Sequence, residues 1–308
     1  MKTYKELVTQ WSKCQGSGQV LVDHNHPLRM YLNINTNGNK ELLIPIESPE
    51  KRFKSTLVIG INNYHNDNKF FWAIELLNSE YEEEYISLCF DLIESSRTCA
   101  DEQKSRIQLF EVFKKWLRLF EEPPKDILPE KEIKGLIGEL SYICEEIDLG
   151  RDCSEIIQAW TVHKDSSRDF IFDDTWAEIK TIESTKDYIT ISSIEQLDND
   201  VEGTIEVYKL IREKETESGA FSLNDLVDKV KTLLDIKNET VLNYKLLSKG
   251  YSYNEKYKDY CYSIVSKETF DVKEDFPRLR RIDLPEAISS AKYDIKLAQI
   301  ERWRMDEK

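Results

Sequence analysis

The sequence has no run approaching 18 uninterrupted apolar residues, and its N-terminus, MKTYKELVTQW, has no apolar stretch followed by small residues. Neither a membrane-spanning helix nor a secretory leader is expected, and the expectation is a cytoplasmic protein with no membrane partner. The six cysteines (Cys14, Cys89, Cys99, Cys144, Cys153, Cys261) include no CxxC pair, and no histidine is spaced with them for zinc or an iron–sulfur cluster. Reduced thiols, several of them in the core, are expected. A phosphate-cradling glycine loop, a GxSxG elbow and a Cys/His pair in recognisable context are all missing, so ATP-driven and acyl-transfer chemistry gain no support. There is no internal repeat or low-complexity segment. Positive charge is also short: 43 Lys and Arg against 58 Asp and Glu leave a net charge of -15. A protein that coats nucleic acid needs clustered basic residues, so that class is disfavoured. A nuclease survives this test, because a site for a divalent cation is itself acidic and local basic patches or a basic partner subunit can meet the phosphates.

At 308 residues, 40% hydrophobic and 33% charged, the chain has the composition of a folded protein and the length for two domains. From Gly18 to about Asn78 it alternates with the two-residue period of strands, and Thr36-Asn37-Gly38-Asn39 marks a tight turn. An antiparallel sheet is predicted there. Helices are predicted near Glu82 to Ser95 and Glu102 to Glu121, the second with Ile107, Phe110, Phe113 or Lys114, Leu117 and Phe120 on its apolar stripe. Pro123-Pro124 ends it, so the expected domains are residues 1–124, β-rich with two trailing helices, and residues 125–308.

The second domain opens with a predicted helix, Glu130 to Asp148, closed by Gly150. Gly135 and Gly138 lie inside it at a cost of about 1 kcal/mol each against Ala, which close approach of another backbone would explain. Strands are predicted over Ile157 to His163, Arg168 to Phe172, Thr175 to Ile182, Tyr188 to Ile194 and Thr204 to Ile211. Helices follow over Ser222 to Leu234 and Glu239 to Lys249, then strands over Tyr260 to Val265 and Thr269 to Val272.

The segment RDFIFDDTWAEIKT, Arg168 to Thr181, reads as a hairpin with a two-residue turn at Asp173-Asp174, so that cross-strand partners sum to 347. One face then carries Phe170, Phe172, Ala177 and Ile179; the other carries Asp169, Ile171, Trp176, Glu178 and Lys180. Asp169 and Glu178 lie opposite each other, where like charges cost a few tenths to about 1 kcal/mol. A cation between them relieves this. Two carboxylates with a backbone carbonyl form an oxygen set for Mg²⁺, and a neighbouring Lys180 suits hydrolysis of a phosphodiester. Asp173 and Asp174 compete with Asp169 as ligands, but the register places them in the turn. The triplets Glu102-Gln103-Lys104 and Glu132-Ile133-Lys134 fall in helical patterns and read as solvated faces.

With KGLIGEL, Trp160, RDFIFDDTWAEIKT and ITISSIEQL in view, the segment from about Glu130 to Gln196 resembles the core of the PD-(D/E)XK nuclease superfamily. It resembles more closely the bacterial "PD-(D/E)XK motif protein" family, found among restriction and phage-defence genes. The resemblance implies an α/β (mixed α+β) restriction-endonuclease-like core, a mixed central sheet flanked by helices, preceded by the β-rich domain. It implies a Mg²⁺-dependent endonuclease, with Mn²⁺ as a substitute, acting on double-stranded DNA. Asp169 and Glu178 would bind the metal and Lys180 would position the water. Glu139 would reach the metal through water or fill a second site, and Gln196 would support the edge of the site. Arg168 stands where the superfamily motif has proline. A homodimer is expected because cutting two strands needs two sites, with other restriction or defence subunits as further partners. The competing readings are a non-catalytic scaffold or DNA-binding subunit on the same fold, which the charge favours, and a hydrolase of RNA.

Other residues have plainer readings. Asp23-His24-Asn25-His26 suggests a metal site but fits a polar turn between strands. His163 is expected at a strand end, and Trp160 and Trp176 in the core rather than stacked on a base. Pro277-Arg278-Leu279-Arg280-Arg281 is a local basic run that either meets phosphates or pairs with nearby acids.

Overall fold

The computed structural model describes residues 4–14, 18–66, 69–97, 99, 101–124, 126–162 and 167–305. The chain forms two compact units, Met1–Lys125 with Glu239–Ser252, and Asp126–Asn238 with Tyr253–Lys308. The segment Glu239–Ser252, expected in the second domain, therefore belongs to the first. Among the described residues no helix is long and apolar enough to cross a membrane, and all six cysteines are free thiols.

The first unit begins with α1 (Tyr4–Lys13), followed by β1 (Val20–Leu21), β2 (Tyr31–Ile34), β3 (Lys40–Ile46), β4 (Ile59–Asn66) and β5 (Lys69–Leu76). These strands form an antiparallel sheet in the order β1-β2-β3-β5-β4. The β2–β3 turn closes with Gly38 at φ +84°, a left-handed conformation that glycine adopts without a Cβ penalty. Alternation then sorts the faces. Leu42, Ile44, Trp72 and Ile74 point one way and are fully buried, toward α2 (Glu82–Arg97) and α3 (Glu102–Glu121). The Trp72 ring meets Phe110 and Phe113 of α3 at 5.2 and 4.7 Å between centroids, and Tyr85 of α2 donates to the Ile74 carbonyl at 2.8 Å. Asp101 caps α3 through the Lys104 amide. Ile107, expected on the buried stripe of α3, is 58% exposed; the inward face is instead Leu109, Phe110, Phe113, Trp116, Leu117 and Phe120.

In the second unit, α4 (Glu130–Asp148), α5 (Cys153–Ala159), β6 (Phe170–Ile171), β7 (Trp176–Glu183), β8 (Tyr188–Ile191), β9 (Gly203–Glu213) and α6 (Leu223–Leu233) follow in order. Then come α7 (Ile236–Ser248), which crosses into the first unit, β10 (Cys261–Val272) and β11 (Tyr293–Lys296). A four-stranded mixed sheet, β10-β9-β7-β6, is antiparallel except for the central β7–β9 pair, which is parallel. This is a mixed α/β fold with a restriction-endonuclease-like arrangement. On one face, α4 packs on β7 through Gly138, where an added Cβ would lie 2.5 Å from Thr181 Cγ2 and 3.0 Å from Ile179 Cγ2. A side chain there is excluded by Thr181 and Ile179 side chains, whereas Gly135 has open space and no close approach to explain it. On the other face, Trp176, Ile205 and Val207 pack under the separate β8–β11 pair with Phe276, Leu297 and Ile300. Residues after 260 thus complete both the sheet and its second core layer.

Two local predictions fail for physical reasons. Ile157 to His163 was expected as a strand, but Asp152 accepts from the Ser154 and Glu155 amides and starts α5 in its place. The run was too short for its period to distinguish strand from helix. The strands predicted at Tyr260 to Val265 and Thr269 to Val272 are one strand, β10, whose register shifts between Ile264 and Ser266. The bulge leaves Val265 48% exposed.

Candidate functional site

The hairpin has the predicted register. Phe170 pairs with Ala177 and Ile171 with Trp176, and the Phe172 amide donates to the Thr175 carbonyl at 2.9 Å across the turn. Asp173 and Asp174 are exposed in that turn. The far edge of β6 is held by a bridge from Trp160 to Phe170 and by the Thr161 amide on the Asp169 carbonyl, 2.8 Å. The two-strand ladder then ends in a side chain. The Ile179 amide donates to Asp169 Oδ2 at 2.8 Å, so the Asp169 carboxylate lies against β7 beside Glu178.

Glu178 is 1% exposed. Its Oε1 accepts from Lys180 Nζ at 2.6 Å and from Gln196 Nε2 at 2.6 Å. Gln196 Oε1 in turn accepts from the Ser192 amide at 2.7 Å and from Lys180 Nζ at 3.2 Å. Gln196 therefore fixes both charged partners, and it reaches them from the short helical turn Ile194–Gln196 after β8. Glu139, on α4, accepts from Trp160 Nε1 at 2.6 Å. The structure thus brings Asp169, Glu178, Lys180, Gln196 and Glu139 into one neighbourhood. The bond from Trp160 to Glu139 was not visible in the sequence, because 21 residues separate the partners.

One atom has no partner. Glu178 Oε2 is buried and makes no hydrogen bond. An ionised oxygen lacks a donor there, and a protonated one would lack an acceptor, so neither form is satisfied. Burial first, and then the Asp169 charge, push the Glu178 carboxyl up to about 8; Lys180 pulls it down, and Glu139 adds to the rise. A cation near Oε2 would relieve the burial cost and the repulsion together. Among the described residues no group of three or more Asp, Glu, His or Cys side chains is arranged to hold a metal ion. Two carboxylates completed by water are nonetheless within the habit of Mg²⁺, which keeps much of its hydration shell.

The family described as "Putative PD-(D/E)XK family member, (DUF4420)" matches residues 1–298. The chain belongs to this family. No curated protein and no solved structure matches it. The PD-(D/E)XK superfamily consists in general of nucleases, which typically use divalent metals. For this DUF4420 chain the match covers the first unit as well as the hairpin, so the β-rich unit is part of the family and not an appendage.

The remaining candidates have structural roles. His26 is 4% exposed, with Nδ1 accepting from the Leu28 amide at 2.9 Å and Nε2 2.8 Å from the Ile93 carbonyl. Asp23 pairs with Arg97. Trp160 and Trp176 are buried, and Trp176 Nε1 donates to the Val201 carbonyl at 2.8 Å. Gly203 is a position the sequence did not flag: a Cβ there would overlap the Trp176 ring. In the basic run, Arg281 pairs with Glu195 at 2.7 Å and Arg280 with Asp200 at 2.8 Å. His163 lies outside the described residues.

Proposed function

We propose that this chain is a Mg²⁺-dependent endodeoxyribonuclease of restriction-endonuclease type, cytoplasmic and working in a bacterial restriction or phage-defence system. The observation that supports this most is the buried, unpartnered Oε2 of Glu178 beside Asp169, with Lys180 on the opposite oxygen. Asp169 and Glu178 would hold the ion, and Glu139 would reach it through water. When bound, Mg²⁺, or Mn²⁺ in its place, supplies positive charge against the pentavalent phosphate. The chain's own residues do the rest. Lys180 Nζ, oriented by Glu178 Oε1 and Gln196 Oε1, steadies the attacking water; a new P–O bond forms as the P–O bond to the leaving oxygen breaks, with inversion at phosphorus. Gln196 keeps Lys180 and Glu178 in register. Double-stranded DNA is the proposed substrate, and a homodimer would cut both strands.

Plasmid cleavage with Mg²⁺ and Mn²⁺ tests this, comparing the wild type with Asp169→Ala and Lys180→Ala. Loss of cleavage in both variants is expected. Cleavage that persists in them would remove the site. The net charge of -15 favours a second reading, a non-catalytic defence subunit on the same fold. That reading expects no cleavage by any form, even with neighbouring gene products present.

A further inference from the structure

One arginine of the basic run differs from the other two. Arg280 and Arg281 are neutralised by Asp200 and Glu195, and Arg281 also donates to the Ile288 and Ser289 carbonyls at 2.7 and 3.0 Å. Arg278, two residues earlier, has both Nε and Nη1 buried without a hydrogen-bond partner. It lines a cavity of about 230 Å³ with Asn199, Lys273 and Arg280. Glu202 and Glu274 line the same cavity, yet neither forms an ion pair with Arg278. Buried guanidinium N–H groups left without acceptors carry their full desolvation cost, so such a group in an acidic chain suits an anion as its partner.

Arg168 is the second half of the arrangement. Its Nη2 donates to the Asp198 carbonyl at 2.9 Å, and its guanidinium lies 5.0 Å from the centre of the Trp176 ring. The Asp198 carboxylate in turn accepts from the Arg281 amide at 3.0 Å, so the basic run comes to the same residue that holds Arg168. Arg168 and the run that carries Arg278 therefore meet at Asp198. Two guanidiniums on segments that meet at one residue, one of them with unmade donors, suit an oxyanion gripped through forked N–H groups. Arg168 precedes Asp169 in the chain, and its guanidinium lies against Trp176, on the face of β7 that also carries Glu178.

We propose that Arg168 and Arg278 form a seat for a backbone phosphate of duplex DNA, adjacent to the one that would be cut. This rests on the nuclease reading for its choice of ligand. The seat places positive charge beside the carboxylates, where the net charge of -15 would otherwise repel a polyanion. Arg278 and Arg168 act in binding and positioning; neither takes part in bond making.

The test is duplex binding by fluorescence anisotropy, with Ca²⁺ in place of Mg²⁺ to prevent cutting, across a series of salt concentrations. Arg278→Ala and Arg168→Ala should each weaken binding about 5- to 30-fold and reduce the slope of log affinity against log salt by about one. Arg278→Lys should keep the slope, and its melting temperature checks that the fold is intact. Arg281→Ala, whose side chain is already paired, should bind as the wild type does. An Arg278→Ala protein with wild-type affinity and slope overturns the seat, as does a wild type that does not bind DNA. If no form cuts DNA but Arg278→Ala still lowers the slope, the nuclease reading fails and the seat stands. If cutting depends on Lys180 while the slope ignores Arg278, the seat fails and the nuclease reading stands.

Discussion

Each unit of this molecule brings two carboxylates together at a sheet, one pair as cross-strand partners and the other where a ladder ends, and the two pairs are treated differently. In the first unit Glu41 and Glu75 are cross-strand partners on β3 and β5. Glu41 accepts from Asn33 at 2.7 Å, Asn35 at 3.2 Å and the Tyr64 hydroxyl at 2.6 Å. Glu75 accepts from Asn35 at 2.7 Å, Asn39 at 2.8 Å and Asn62 at 3.0 Å. All four oxygens are satisfied by neutral donors. In the second unit, Asp169 takes a backbone amide, while Glu178 draws a lysine and a glutamine to Oε1 and leaves Oε2 without a partner. Both solutions bury acid; one closes the network and one leaves it open. A closed network specifies a fold, whereas an open one is stable only if something else arrives.

The largest expected effect breaks the comparison through activity. Asp169→Ala and Lys180→Ala should each lower Mg²⁺-dependent plasmid cleavage by about 100-fold or more, while Glu41→Gln leaves it unchanged per folded molecule. Stability should show the reverse pattern. Glu41→Ala strands Asn33, Asn35 and Tyr64, and should cost about 2–3 kcal/mol in urea denaturation.

The open pair should also carry a pH signature of its own. The Glu178 carboxyl is raised from its ordinary value of 4.5 to about 8, so between these values the folded state holds a proton that the unfolded chain has released. Stability then falls as pH rises through that window. Without divalent cations, Glu178→Gln should exceed the wild type by roughly 1–3 kcal/mol at pH above 8, and the gap should close toward the acid end of the window. Urea midpoints measured across the range check this. The smallest effects concern the helix behind the site. Gly138→Ala should destabilise by about 1–2 kcal/mol because Thr181 and Ile179 fill the space. Gly135→Ala meets nothing and should stabilise by about 0.5–1 kcal/mol; thermal melts of the two variants beside the wild type check both signs.

The hairpin was readable in the sequence because its information is local. A turn at Asp173-Asp174 and a period of two fix which residues share a face, and the observed pairs follow that count. Gln196 and Glu139 entered through the resemblance alone; their bonds to Lys180, Glu178 and Trp160 are contacts that no spacing rule predicts. The same limit explains α7. Its period announced a helix, but its place in the first unit depends on Asn243 donating to Ser87 at 2.9 Å and on the Tyr244 ring against Trp116, partners more than a hundred residues away. Arg278 looked like any member of a basic run until its neighbours were seen to be paired and it was not.

The central claim is that the open oxygen of Glu178 belongs to a cation site. Calorimetric titration of Mg²⁺ into the wild type, Glu178→Gln and Glu41→Gln tests it most directly. Saturable binding in the wild type and in Glu41→Gln, weakened about tenfold or more in Glu178→Gln, is the predicted result. Equal Mg²⁺ affinity in all three proteins, or no binding by the wild type, would contradict it.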